Sequence, residues 1–177
     1  AMGIYVSEVL WWTYRPLTFL IWGGVFERYP KLKASFTETG CGWMLPPYIR
    51  LLDHNYHDVQ FSAKLGNFMG HLSISPSDYF RRNVAIGQSC MPRSDAERRH
   101  EIGLKQLMWG SDYPHPEGSW PKTRAHLQST FSGLPDADIA AMLGENAIAF
   151  YGFDRAALAP VAARIGPARA DFNTTSQ

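Results

Sequence analysis

The stretch Leu107–Pro121, LMWGSDYPHPEGSWP, decides the fold. Its first five residues, Leu107–Ser111, are apolar or small and predict a strand. Pro114 and Pro116 stiffen the chain just beyond Asp112 and force a sharp turn. Pro121 suits the first turn of a helix, so a helix is predicted from Ser119 onward. Strand, stiff loop and helix in that order make a βα unit with an acidic residue at the strand's carboxyl end. In parallel α/β folds, working side chains collect at that end.

Two more strands are predicted upstream. Leu32–Thr37 is a short run of β-formers that delivers Glu38, and Asn83–Gln88 ends in Gln88. One helix is predicted from Pro16, with Pro30 as its exit. A second spans Leu45–Val59, where Ile49, Leu52 and Tyr56 repeat at helical spacing. Ser77 caps a short helical turn, and Pro135–Phe150 is a final helix that runs into a turn at Gly152 and Phe153. Residues 60–77, broken by Gly66, Gly70 and Pro76, predict an irregular connection. This alternation argues for βα units around a parallel sheet. The strands lack a clean polar–apolar alternation, as expected of a sheet covered on both faces. Residues 1–166 read as a single domain and residues 167–177 as a disordered tail.

Composition narrows the function classes. A net charge of +1 with no basic run gives no reason to expect nucleic acid or an anionic membrane as partner. No apolar run approaches the ~18 residues of a membrane span. Two cysteines, Cys41 and Cys90, form neither a C-x-x-C motif nor a disulfide framework, which predicts a reduced, cytoplasmic protein. Aromatic residues make up 14% of the chain, so a sizeable buried interior is expected.

Asp112 has the richest chemical context of the three strand-end residues. A carboxylate held by a stiff loop can ligate a divalent ion or accept a proton from bound water. On spacing alone it could equally cap the turn that follows it. His54 and His57 lie at i, i+3 among Asp53 and Asp58 and read as a solvated helix face. His71 sits in a glycine-rich loop and could reach a site as a lid residue. His100 and His126 read as surface residues, and the Arg81-Arg82 pair as a solvated helix face. Trp120, next to the Asp112 loop, is the tryptophan best placed to touch a substrate.

Several blocks, in order, resemble the amidohydrolase-related family of metal-dependent TIM-barrel hydrolases and decarboxylases, the group that includes aminocarboxymuconate-semialdehyde decarboxylase. They are GGVFERYPKLKASFTETGCGW, RLLDHNY, DYFRRNVAIG, LMWGSDYPHPEGSWP and GENAIAFYGFD. The resemblance implies the C-terminal part of a (β/α)8 barrel, with 32–37, 83–88 and 107–111 as its sixth, seventh and eighth strands. It implies a small-molecule substrate and a divalent metal, zinc by expectation. Asp112 would be the metal ligand or general base and Glu38 a second catalytic residue, in the place of a family histidine. His115, Trp120 and His71 would line the substrate pocket.

The sequence departs from that family in one large respect. No His-X-His pair, the family's anchor for the metal, occurs in these 177 residues. The chain therefore reads as the C-terminal half of the enzyme, inactive alone and possessing no complete metal site. A separate N-terminal half of the barrel or a homo-oligomer would complete it. A non-catalytic half-barrel serving as a structural or regulatory subunit is the alternative.

Overall fold

The computed structural model describes residues 1–58 and 63–172. Val59, expected to end the second helix, and the last five residues of the expected disordered tail lie outside them. The chain opens on a long helix, α1 (Met2–Trp22), followed by the short α2 (Val25–Arg28). The helix was expected to begin at Pro16, yet Pro16 lies inside it. An interior proline removes a helical hydrogen bond at a cost of about 3 kcal/mol. Tyr14, Leu17 and Ile21, spaced to face one way around Pro16, are fully buried. At about 1.5–3 kcal/mol for each large apolar side chain, that burial offsets the cost.

Strand β1 (Ala34–Thr37) leads to α3 (Leu45–His57), then α4 (Pro76–Asn83), β2 (Val84–Ser89), α5 (Arg93–Glu97) and α6 (Arg99–Ile102). A 3-10 turn (Leu104–Gln106) precedes β3 (Leu107–Gly110). After β3 come α7 (Thr123–Phe131) and α8 (Asp136–Ala140), whose axis continues through a π-helical turn (Ala141–Glu145) into α9 (Asn146–Tyr151). The helix expected at Ser119 starts instead at Thr123, after a turn at Trp120 and Pro121. A further helix, α10 (Arg155–Ile165), was not anticipated. The Asp154 carboxylate caps it, accepting from the amides of Ala156 and Ala157 at 2.8 and 3.2 Å. Within the expected tail, Arg169–Phe172 forms a 3-10 turn instead, and Phe172 is buried edge-on against Phe131.

The three strands form one parallel sheet in the order β1-β2-β3, with Ala34 opposite Val84 and Ile86 opposite Leu107. The register and the two-residue period of a strand sort the side chains. One face carries Phe36, Val84, Ile86 and Leu107, which join the helices in a single apolar core. The other carries Ser35, Thr37, Ala85, Gly87, Ser89 and Gly110, with Met108 its one large residue. β1 and β3 each have an unpaired edge among the described residues.

Polar latches tie the layers together where the strands begin. Tyr79 and Ser73 donate hydrogen bonds to the Glu27 carboxylate. These bonds, Tyr79's first, hold the Glu27 pKa below its ordinary value. Asn83 donates to the carbonyls of Pro30 and Leu32, and Arg82 to that of Phe26 while it lies over the Tyr79 ring. Arg82 is therefore a structural clamp as well as a surface charge. Arg99 of α6 pairs with Asp138 of α8 at 2.7 Å, with both side chains mostly shielded from solvent.

Candidate active site

Because the strands are parallel, their carboxyl ends share one edge, and each is followed within two residues by an unusual one. Among the described residues, Glu38, Cys90 and Asp112 are the non-glycine residues with positive φ, at 58°, 48° and 62°. Few L-residues adopt this conformation, and where it persists the surrounding packing over-determines it. All three stand just past the ends of β1, β2 and β3. Among the described residues, left-handed non-glycine backbone thus gathers at the edge where βα folds place chemistry.

The Asp112 loop is built from β3 outward. Ser111 receives the Ser119 amide on its carbonyl at 2.9 Å, closing the loop at its base. Inside it, the His115 amide donates to the Asp112 carbonyl at 2.7 Å, and the Gly118 amide to the His115 carbonyl at 2.9 Å. Tyr113-Pro114 is cis, and Tyr113 meets Trp120 edge-on with ring centres 6.0 Å apart. Gly118 is required: a Cβ there would lie 2.8, 2.9 and 3.0 Å from the carbonyl oxygens of Ser111, Asp112 and His115.

The Asp112 carboxylate is gripped on both sides, by the end of β2 and by its own loop. Ser89 Oγ donates to Oδ1 at 3.3 Å, and His115 Nδ1 stands 3.4 Å from Oδ2. The same Nδ1 is 3.4 Å from the Glu117 amide nitrogen. A ring nitrogen either accepts from that amide or donates to the carboxylate, so the imidazole tautomer decides whether His115 serves Asp112.

Several expected site residues fall elsewhere. Glu38 is exposed and has no side-chain hydrogen bond or ion pair among the described residues; β2 lies between it and Asp112, roughly 10 Å at the usual strand spacing. His71 does not approach Asp112. Its Nε2 is 2.8 Å from the Trp22 carbonyl, at the end of α1, on the side where the strands begin. Trp120 and Tyr113 are both 66% exposed and form an open aromatic shelf.

Gln88 was expected as the working residue of the second strand, but β2 runs one residue further. Ser89 faces Asp112, while Gln88 points into the helical layer and is buried. There it donates to Asp95 and accepts from the Cys41 thiol at 3.4 Å. The Asp95 carboxylate also accepts from the Cys41 amide at 3.1 Å. Tyr14 of α1 donates to the Gly40 carbonyl at 3.0 Å. Together these bonds weld the loop that follows Glu38 to β2, α5 and α1. Burial, reinforced by the nearby Asp95 charge, pushes the Cys41 thiol far up.

Two residues of this end escaped the sequence reading. Cys90 lines a cleft of about 520 Å³ with Ser119, Trp120 and His126, among others. Burial and then the Asp112 carboxylate raise its thiol pKa. His126, expected at the surface, lies beside Trp109 with ring centres 6.3 Å apart, and burial lowers its pKa. The two thiols should therefore react in sequence. With a thiol-specific reagent at neutral pH, Cys90 is expected to label slowly in the native protein and Cys41 only on unfolding. Two thiols labelled at equal rates in the native state would contradict the burial of Cys41.

The described residues do not by themselves fit a metal ion. No group of three or more His, Cys, Asp or Glu side chains among the described residues could hold one. A catalytic zinc ion usually needs three protein ligands. Asp112 and His115 supply two at most.

Comparison with known proteins follows the same outline. A family model described as amidohydrolase matches residues 11–153. Among solved structures, a 5-carboxyvanillate decarboxylase from Sphingomonas paucimobilis matches with a TM-score of 0.60 and 25% identity, over 76% of this chain and 38% of that one. An amidohydrolase from Mycobacterium avium subsp. paratuberculosis matches at 0.59 and 27%, over 79% and 33%. A dihydroxybenzoic acid decarboxylase from Polaromonas, holding manganese and the inhibitor 2-nitroresorcinol, shares the fold at 0.57 and 21%, over 78% and 39%. The chain thus spans between a third and two fifths of the length of these structures. A search of curated proteins finds no match.

Proposed function

Given that the chain belongs to the amidohydrolase family, we propose that it supplies one wall of an enzyme acting on a small carboxylated or carbonyl substrate, as a decarboxylase or hydrolase. Three parallel strands are its share of a TIM barrel, and Asp112 is the catalytic residue it contributes. The observation that carries this reading is the setting of that carboxylate: left-handed backbone at the end of β3, with Ser89 on one oxygen and His115 by the other. Such a group can take up or return a proton at a substrate or water held before the strand ends. Glu38, on the same edge, is a second acidic group within reach of a large substrate. The Tyr113–Trp120 shelf offers an aromatic surface for a planar ring, and His115 lies next to it in the loop.

A divalent metal, zinc by first choice, would draw its remaining ligands from outside this chain, with Asp112 contributing one. The substrate-binding role expected of His71 finds no support in its position against Trp22.

The test is co-expression with the coding sequence upstream of residue 1. Carbon dioxide release from aromatic carboxylates and hydrolysis of amides or lactones would then be assayed, with metal content measured alongside. Asp112→Asn is expected to lower turnover by about a hundredfold or more without loss of folded protein. A second reading is a half-barrel retained as a structural or regulatory subunit, and it rests on the lack of three metal donors together among the described residues. Turnover and metal content unchanged by Asp112→Asn would favour it and sink the first.

A further inference from the structure

Two orphaned ring nitrogens lie between β3 and α7. His126 lines the cleft beside Cys90, yet its Nε2 is buried and has no hydrogen-bond partner among the described residues. Trp109, the ring next to it, has a buried Nε1 that is unpartnered among them as well. An indole N–H only donates, so Trp109 offers no acceptor to a protonated Nε2. A neutral imidazole tolerates this setting. A protonated one would bury a charged N–H with no acceptor among the described residues, which costs far more than an unpaired neutral group.

Charges on the surrounding elements are engaged elsewhere. α7 packs against α5 and the 3-10 turn at Arg169–Phe172. Arg93 and Glu97 of α5 pair with each other, and Asp95 is held by Cys41 and Gln88. Asp171 and Arg169 pair with Arg124 and Asp136. Beyond β3, Asp112 lies between Ser89 and His115. The titratable groups that share the cleft with His126 are Cys90, Glu117 and Lys122. Burial lowers the His126 pKa, outweighing the Met91 carbonyl, which favours the charged ring. Glu117 is exposed and is the one carboxylate among the described residues that line the cleft. At about 520 Å³, the cleft has room for an imidazole to turn into it.

We propose that His126 is a proton-operated latch between α7 and β3. The neutral ring stays against Trp109, and the protonated ring turns out into the cleft toward the Glu117 carboxylate. The Met91 carbonyl faces both His126 and Thr130, whose Oγ1 donates to it at 3.1 Å. The latch therefore acts where α7 is fastened to the loop that follows Ser89. It is independent of the catalytic reading of Asp112 and holds whatever chemistry that edge performs.

The unfolded chain takes up this proton near the ordinary histidine value of about 6.5, and the folded chain only below it. Stability from the neutral latch is thus full above that pH and is lost as pH falls toward the folded value. In an NMR titration of the whole chain, His126 is expected to protonate below about pH 6.5, and its contact with Trp109 should vanish with the same midpoint. Glu117→Gln should move that midpoint about 0.5 pH unit further down, because the charged ring loses its carboxylate. Between about pH 6.5 and the midpoint, the folding constant should fall by up to about tenfold per pH unit relative to His126→Gln. Glu117 is exposed, so its variant should fold even if His126→Gln does not. A midpoint at or above the ordinary value, a Trp109 contact that survives protonation, or a midpoint indifferent to Glu117→Gln would overturn the proposal. So would the same pH dependence of folding in the parent and in His126→Gln.

Discussion

Gly118→Ala is expected to destabilise the protein by about 3 kcal/mol, at the upper end for an overpacked site. A new Cβ would meet three backbone carbonyl oxygens, those of Ser111, Asp112 and His115, at 3.0 Å or less. Backbone atoms cannot swing aside as the tip of a side chain can, so the loop itself must open. Its closure rests on the Ser119 amide at the Ser111 carbonyl, and that bond should be the first to suffer. Urea unfolding measures the loss, while amide exchange at Gly118 and Ser119 locates it. A midpoint within about 0.5 kcal/mol of the parent would mean the loop is looser than its hydrogen bonds imply.

Asp95→Ala should cost about as much, for a different reason. Asp95 is 5% exposed, and its carboxylate accepts from the Cys41 amide and the Gln88 side chain. Removing it leaves both donors buried and unsatisfied, at about 1–3 kcal/mol for each orphaned group. Gly42 offers an independent check. A Cβ at that position would fall within the Asp95 carboxylate, so Gly42→Ala should damage the same cluster. The double variant is expected to lose less than the sum of the two singles, because each breaks the same contacts. Full additivity in chemical denaturation would show that the glycine and the aspartate act separately.

The two predictions act on different supports of one edge. Gly118 shapes the loop that presents Asp112. Asp95, through Cys41 and Gln88, anchors the chain just beyond Glu38. Neither variant touches the proposed chemistry directly. Both are expected to disturb the geometry in which it would occur.

Much of this was legible in the sequence. The order of strands and helices followed from periodicity and punctuation, and the three strands agree with their predicted spans to within two residues at each end. Asp112 is marked by the prolines that follow it in the sequence. Parity was not legible. Moving the end of β2 from Gln88 to Ser89 exchanges the residue facing Asp112 for one buried among helices, because neighbouring side chains on a strand face opposite ways. Pro16 misled for a similar reason. Local propensity argues for a helix start, whereas the buried stripe of Tyr14, Leu17 and Ile21 carries the helix straight through it.

By itself, then, the sequence determined the class of fold, the family and the aspartate at the strand's carboxyl end. These depend on local pattern, which a chain carries wherever it folds. Only the tertiary structure decided that Ser89 and His115 flank that aspartate, that His71 lies at the opposite end, and that Cys41, Gln88 and Asp95 form one buried cluster. Each of the last two joins residues distant in the chain. Burial and hydrogen-bond satisfaction select such contacts in three dimensions, and no local pattern along the chain announces them.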